Sequence, residues 1–298
     1  MRIISETARG AWLADRAGSW ATVGGVAGTG FEAYARILHP VGAELADLST
    51  TDEWGHHPVL EEATWTWSQV AERTGRVMHP LVQYRRLTTD ETLLDYPDGW
   101  GVSPSSEGWL DPDLLAALTR HLVTTTPDDV VVGIWNGWGL PDAGQAYVSF
   151  AMATDGGDDG DDEEPAEWHA DFERMQRERA ASVSKEFRAA IDNGPHFEYP
   201  NRSFVLLQSS LSELSNPGWG YGAGIGWTTN SPEPAPQLVW PEDHAWVVAT
   251  EIDWDSTVVA GTREVVDAIL RDPTYETFEV HEGDELSWEG DLINPAIG

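Results

Sequence analysis

The chain has 298 residues, 41% of them hydrophobic, enough for one large or two ordinary folded units with a substantial core. Fifty-one acidic against 17 basic residues leave a net charge of −34, which repels nucleic-acid phosphates and anionic membrane surfaces. Cysteine is absent, which excludes disulfide and thiol chemistry and restricts any metal to histidine, carboxylate or carbonyl ligands.

The N-terminal stretch lacks the uninterrupted apolar segment of a secretory signal, and no window approaches the roughly 18 apolar residues of a membrane span. The expectation is a soluble cytoplasmic protein with neither nucleic acid nor membrane as partner. Gly24-Gly25 and Gly28-Thr29-Gly30 lead into a strand at Tyr34 to Leu38. They lack the Lys-Ser/Thr ending of a nucleotide loop and read as a hairpin or turn. His39 and His79 each precede a proline, which biases both away from helix. Asp52 to Pro58 is loop-like, and Trp65 to Arg73 follows as a short helix closed by Gly75. Asp111 caps a helix that has Pro112 at its first position and runs to about Thr124. Val130 to Trp135 reads as a buried strand, followed by the glycine-rich tip Asn136 to Gly139, and Ala146 to Met152 as another strand.

Asp155 to Glu164 is an acidic block. It fails as a calcium loop, because carboxylates are missing at the third and twelfth positions, and it reads as a solvated connection over 155–165. A similar turn before a strand, Pro127-Asp128-Asp129 and Pro241-Glu242-Asp243, leaves two organisations open. One is a single compact unit over 1–298, the other two similar halves at 1–154 and 166–298. The spacing of Trp168, Phe172, Met175, Val183, Phe187 and Ile191 predicts one long helix over 166–191, with an outer surface made basic by Arg174, Arg177, Arg179, Lys185 and Arg188. Arg202 to Gln208 is a strand, and Ser215 to Pro236 a Gly/Pro-rich loop. Trp138, Trp219 and Trp227 are flanked by glycine and are candidate binding residues if exposed; the alternative is that they pack in the core.

The densest convergence of acids lies in Leu238 to Gly261. Ala245 to Ile252 reads as a central strand, with His244 at its entry. If the strand persists, Glu251, Asp253 and Asp255 share one face and repel one another unless water, a cation or a basic side chain relieves them. Asp253-Trp-Asp-Ser-Thr257 resembles the first motif of the haloacid-dehalogenase-like phosphatases. That resemblance implies Asp253 as nucleophile, Asp255 as general acid/base and magnesium held by the pair. The chain departs from the family in having no lysine after Thr257. More broadly, WPEDHAWVVATEID, VVVGIWNGWG and the closing INP resemble an uncharacterised group of actinobacterial proteins, which implies a shared fold and a bacterial cytoplasmic origin but no activity. Thr262 then caps a helix stopped by Pro273, and Thr277 to His281 returns as an edge strand.

Together these elements predict an α+β protein of mainly antiparallel sheet, covered by about four helices near 64–73, 112–124, 166–191 and 262–271. The functional expectation is a noncatalytic binding or interaction protein needing no cofactor. Its binding residues are Glu251, His244, Trp138, Trp219 and Trp227, and its partner is a protein or a small molecule. The alternative is a divalent-metal-dependent, phosphatase-like hydrolase using Asp253 and Asp255 with magnesium.

Overall fold

The structure, a computed structural model, describes residues 1–88, 94–122, 129–140, 166–229 and 231–294, except for the side chains of 166–170 and 173. The expected strand at 146–152 and the acidic block lie outside the described residues. Among those described, thirteen strands and ten α-helices alternate irregularly, and every strand pair is antiparallel, as expected for an α+β chain.

In chain order these are β1 (Arg2–Ile4), α1 (Ala11–Ala14), α2 (Val23–Ala27), β2 (Ala33–Leu38), β3 (Val41–Ala46), β4 (Val59–Trp65), α3 (Trp67–Thr74), α4 (Tyr84–Leu87), β5 (Leu94–Asp95) and β6 (Trp100–Val102). Next come α5 (Pro112–Leu118), β7 (Asp129–Trp135), α6 (Ala166–Ser182), α7 (Lys185–Asn193), β8 (Phe197–Glu198), β9 (Ser203–Ser210), α8 (Leu211–Leu214) and α9 (Trp219–Ala223). The remainder is β10 (Leu238–Pro241), β11 (Val247–Ala249), β12 (Ser256–Gly261), α10 (Arg263–Leu270) and β13 (Thr277–Val280).

The large sheet runs β1-β9-β7-β10-β11-β12-β2-β13, with β8 also paired to β9. Its inner strands β10, β11 and β12 are buried along their whole length because both faces are covered, whereas the edge strands β1 and β13 expose Arg2 and Glu279. Val130, Val132, Ile134, Val205, Leu207 and Val259 pack on one face with residues of α5, α7, α8, α9 and α10. Val131, Phe204, Leu206, Val258 and Ala260 alternate onto the other, against residues of α1 and α2. The small sheet runs β4-β3-β6-β5 and shares a third core with α3 and α4.

The helix count corrects the expected four. Five of the ten helices, α1, α2, α4, α8 and α9, are four or five residues long and too short to show a 3.6-residue repeat. The Gly24-Gly25 pair lies inside one of them, α2, capped by Thr22, and only Gly28 and Gly30 form the positive-φ turn. The helix from Asp111 ends at Leu118. The long helix over 166–191 is two: Ser184 donates its backbone N–H to Gly224 and caps α7 through Phe187 N–H, while Val183 bridges Ile225. Arg179, which by its spacing interrupts the apolar face of that helix and also counts among its basic residues, turns inward with 16% of its side chain exposed, 3.7 Å from Glu233.

The site is positioned where β2 leaves the large sheet and, through His39-Pro40, becomes β3 of the small one. His39 is buried at that crossing. Its Nδ1 lies 2.7 Å from the Ser106 carbonyl, which can only accept, so Nδ1 carries the proton. Its Nε2 therefore accepts from Thr257 Oγ1 at 2.9 Å, and Thr257 in turn accepts from Thr250 at 2.7 Å. Burial pushes the His39 pKa down to about 4, consistent with a neutral ring.

Candidate functional site

The strand over Ala245 to Ile252 is shorter than expected, and this changes the geometry of the acids. β11 ends at Ala249, and residues 250–255 turn the chain back into β12. Glu251, Asp253 and Asp255 therefore do not line one strand face. Arg202, just before β9, separates them: its Nε meets Glu251 at 3.0 Å and its Nη2 meets Asp253, while Trp135 lies beside the guanidinium at 5.9 Å. Asp253 N–H also donates to Glu251 at 2.6 Å. Two of the acids are thus an ion-paired brace of the turn.

Asp255 points elsewhere. Its side chain is 15% exposed, and its nearest cation is Arg36 Nη2 at 3.8 Å. Arg36 sits on β2, is 1% exposed and lies 5.7 Å from the Trp67 ring centre. Its Nε donates to Ser256 Oγ at 2.9 Å, and its Nη1 donates to the carbonyls of Pro80 at 3.1 Å and Val82 at 2.8 Å. The guanidinium is held by the seam between the sheets. Burial raises the Asp255 pKa to about 6, outweighing the opposing pull of Arg36 and reinforced by the charge of Glu107.

Two cavities flank this turn, with Trp254 in the wall of both. The smaller, about 60 Å³, is bordered by Trp20, Val26, Phe204 and Ile252, with Arg202 and Glu251 also in its lining. Ala21 and Asn201, non-glycine residues with positive φ, also border it. The larger, about 200 Å³, is lined by Gln83, Tyr84, Arg85, Glu107, Asp253, Trp254, Asp255 and Trp288. Glu107 is carried by a segment tied to the seam at three points. Ser105 Oγ donates to the His39 carbonyl at 3.1 Å, Ser106 accepts from the His39 ring, and Gly108 N–H donates to the Trp254 carbonyl at 2.9 Å. Gly108 has φ +65°, and a Cβ there would lie 2.8 Å from Ile252 Cα, so this close approach requires glycine.

No protein-family model, curated protein or solved structure matches this chain. The site is therefore read from its own residues.

The other candidate binding residues lie apart from the turn. His244 sits at the opposite end of β11, with φ +57° and its ring stacked on Trp12 at 4.0 Å; burial and then Arg16 lower its pKa. Trp219 and Trp227 pack against each other in the core, ring centres 4.8 Å apart and each 4% exposed, so the loop carrying them is an anchor and not an exposed platform. Trp138 is partly buried and donates to Gln237 at 3.1 Å, and Gln237 borders the smaller cavity. Among the described residues no group of three or more His, Asp or Glu side chains is placed to hold a metal ion. Nor, among those residues, is any helix long and apolar enough to cross a membrane.

Arg36, Tyr84, Glu107 and Trp288 were missed by sequence reasoning. Arg36 had a signal, a single charge inside the apolar strand AYARIL. Glu107 and Trp288 had none, because only the long-range packing of the seam brings them to Asp255.

Proposed function

We propose that this chain is a noncatalytic binding protein that receives a small ligand in the larger cavity beside the 250–255 turn. One observation carries the reading. The Asp255 carboxylate lines that cavity and accepts no hydrogen bond from another described residue, its nearest cation standing at 3.8 Å. The carboxylate is accessible only from the cavity side, so a ligand donor entering that space would find an acceptor that no other described side chain occupies. The indoles of Trp254 and Trp288 flank the same space and add apolar surface. A cavity combining aromatic walls, a few polar groups and a perturbed acid has the ordinary character of a ligand site.

The competing reading is phosphate-ester hydrolysis with a divalent metal at Asp253 and Asp255. Both carboxylates line the cavity, which favours it, but each faces an arginine that a metal would have to displace. Thermal denaturation with magnesium, manganese, calcium or zinc against EDTA, at fixed ionic strength, separates the two. A metal bound at about 100 times its dissociation constant adds roughly 2.7 kcal/mol to stability. A gain that Asp253→Asn and Asp255→Asn both abolish favours the hydrolase and overturns the noncatalytic reading. Equal, substitution-insensitive responses to every ion leave the binding site as the account.

A further inference from the structure

We infer that the ligand of the Asp255 cavity is a neutral polyhydroxyl compound, a sugar or cyclic polyol, and not an ion. This deepens the binding-site reading and rests on it. Arg36 uses Nε and Nη1 fully, on Ser256, Pro80 and Val82, whereas its Nη2 makes no hydrogen bond to a described residue. Nη2 and Asp255 Oδ1 stand 3.8 Å apart, within Coulombic reach and beyond hydrogen-bond reach. A donor and an acceptor thus face each other without a hydrogen bond between them, and the carboxylate's one hydrogen bond comes from its own backbone N–H. Glu107 stands 3.9 Å from Arg85 and Asp253 is paired with Arg202, so a cation placed at Asp255 would satisfy that one carboxylate and be repelled by the Arg36 guanidinium behind it. An anion would meet the opposite conflict. A hydroxyl donates and accepts at once, so it can serve Asp255 without adding charge to a seam that already holds a compensated pair.

The rest of the lining has the same mixed character. Gln83 brings an amide, Arg85 a guanidinium, and Glu107 and Asp253 carboxylates, so the lining offers both donors and acceptors, as a polyol requires. Trp254 and Trp288 add aromatic surface to the lining, of the kind that packs on the C–H side of a sugar, with Arg86 5.5 Å from the Trp288 ring and the Trp20 ring 6.2 Å from that of Trp254. The volume of about 200 Å³, below the roughly 300–1,000 Å³ of drug-sized sites, has room for about one ring.

Saturation-transfer NMR tests this with D-glucose, D-mannose, D-xylose and myo-inositol as neutral probes, and tetramethylammonium and benzoate as charged ones, all at fixed ionic strength. The full chain is compared with Asp255→Leu and with Trp288→Ala, the latter removing a side chain that is 59% exposed and outside the core. The expected result is saturation of at least one neutral probe, weakened at least tenfold by both substitutions, with both charged probes weaker. A charged probe that binds in place of the neutral ones, and is lost in the same two variants, overturns the ligand class and leaves the site standing. Absence of binding by every probe, or binding that neither substitution alters, overturns the class and the site together.

Discussion

Asp255→Asn should stabilise the protein increasingly as pH rises. The folded-state pKa of Asp255 is raised from 3.8 to about 6, first by burial, with Arg36 opposing. The folded protein therefore holds this proton more tightly than the unfolded chain does. In the native sequence, stability falls as pH climbs through that window and the carboxylate ionises. About two pH units at about 1.36 kcal/mol each give a loss of roughly 3 kcal/mol, complete above about pH 7. Asn does not titrate, so the stability difference between variant and native protein should grow by that amount between about pH 4 and pH 8. His39 runs the other way. Its pKa is depressed from 6.5 to about 4, so its contribution is present above 6.5 and is lost as pH falls towards 4, again by roughly 3 kcal/mol. The two groups oppose each other over the same range, so the native profile alone does not reveal either. Urea denaturation across this range at constant ionic strength, taken as variant minus native, isolates Asp255. A difference that stays constant, or that grows as pH falls, would refute the claim that this carboxylate is held against its desolvation.

Arg202→Ala removes the brace of the 250–255 turn and should cost about 1 kcal/mol, since Asp253 is 58% exposed and its pair with Arg202 is screened; hydrogen exchange should rise in that turn and not in β7. Gly220→Ala should cost about 1–3 kcal/mol in chemical denaturation, because a Cβ there would lie 2.1 Å from the Trp227 ring, and a neutral result would show that Trp227 can move aside. Thr262→Ala removes the side chain that accepts from Val265 N–H at the start of α10 and should cost about 1 kcal/mol, with Thr262→Ser restoring most of it.

The α+β class, β2, β7, β9, β13, α3, α5 and α10 are all legible from local pattern, because each pairs an apolar run or repeat with a cap or breaker. Asp111, Thr262 and Gly75 end their helices as their chemistry requires. The break at Ser184 is not legible in this way, since it depends on Gly224, 40 positions along the chain from Ser184 and packed against it. The acids near the turn were visible, but their division was not. Whether β11 continues past Ala249 is decided by where β12 pairs, and which acid meets which base is decided by Arg202 and Arg36, both distant in sequence. Local alternation gives side-chain direction only while the strand lasts.

β2 also bears on how the chain reaches this structure. It lies between β12 and β13, and Arg36 bonds to Ser256 across 220 positions. During synthesis, an apolar strand carrying an arginine destined for burial emerges early and waits for most of the chain before either flank is covered. Such non-local pairing slows folding and leaves strand edges open to wrong partners in the interval. Charge gives β2 little protection when it first emerges, because the first 40 residues hold four arginines against three acids, and the net charge of −34 accumulates only as the later acids follow.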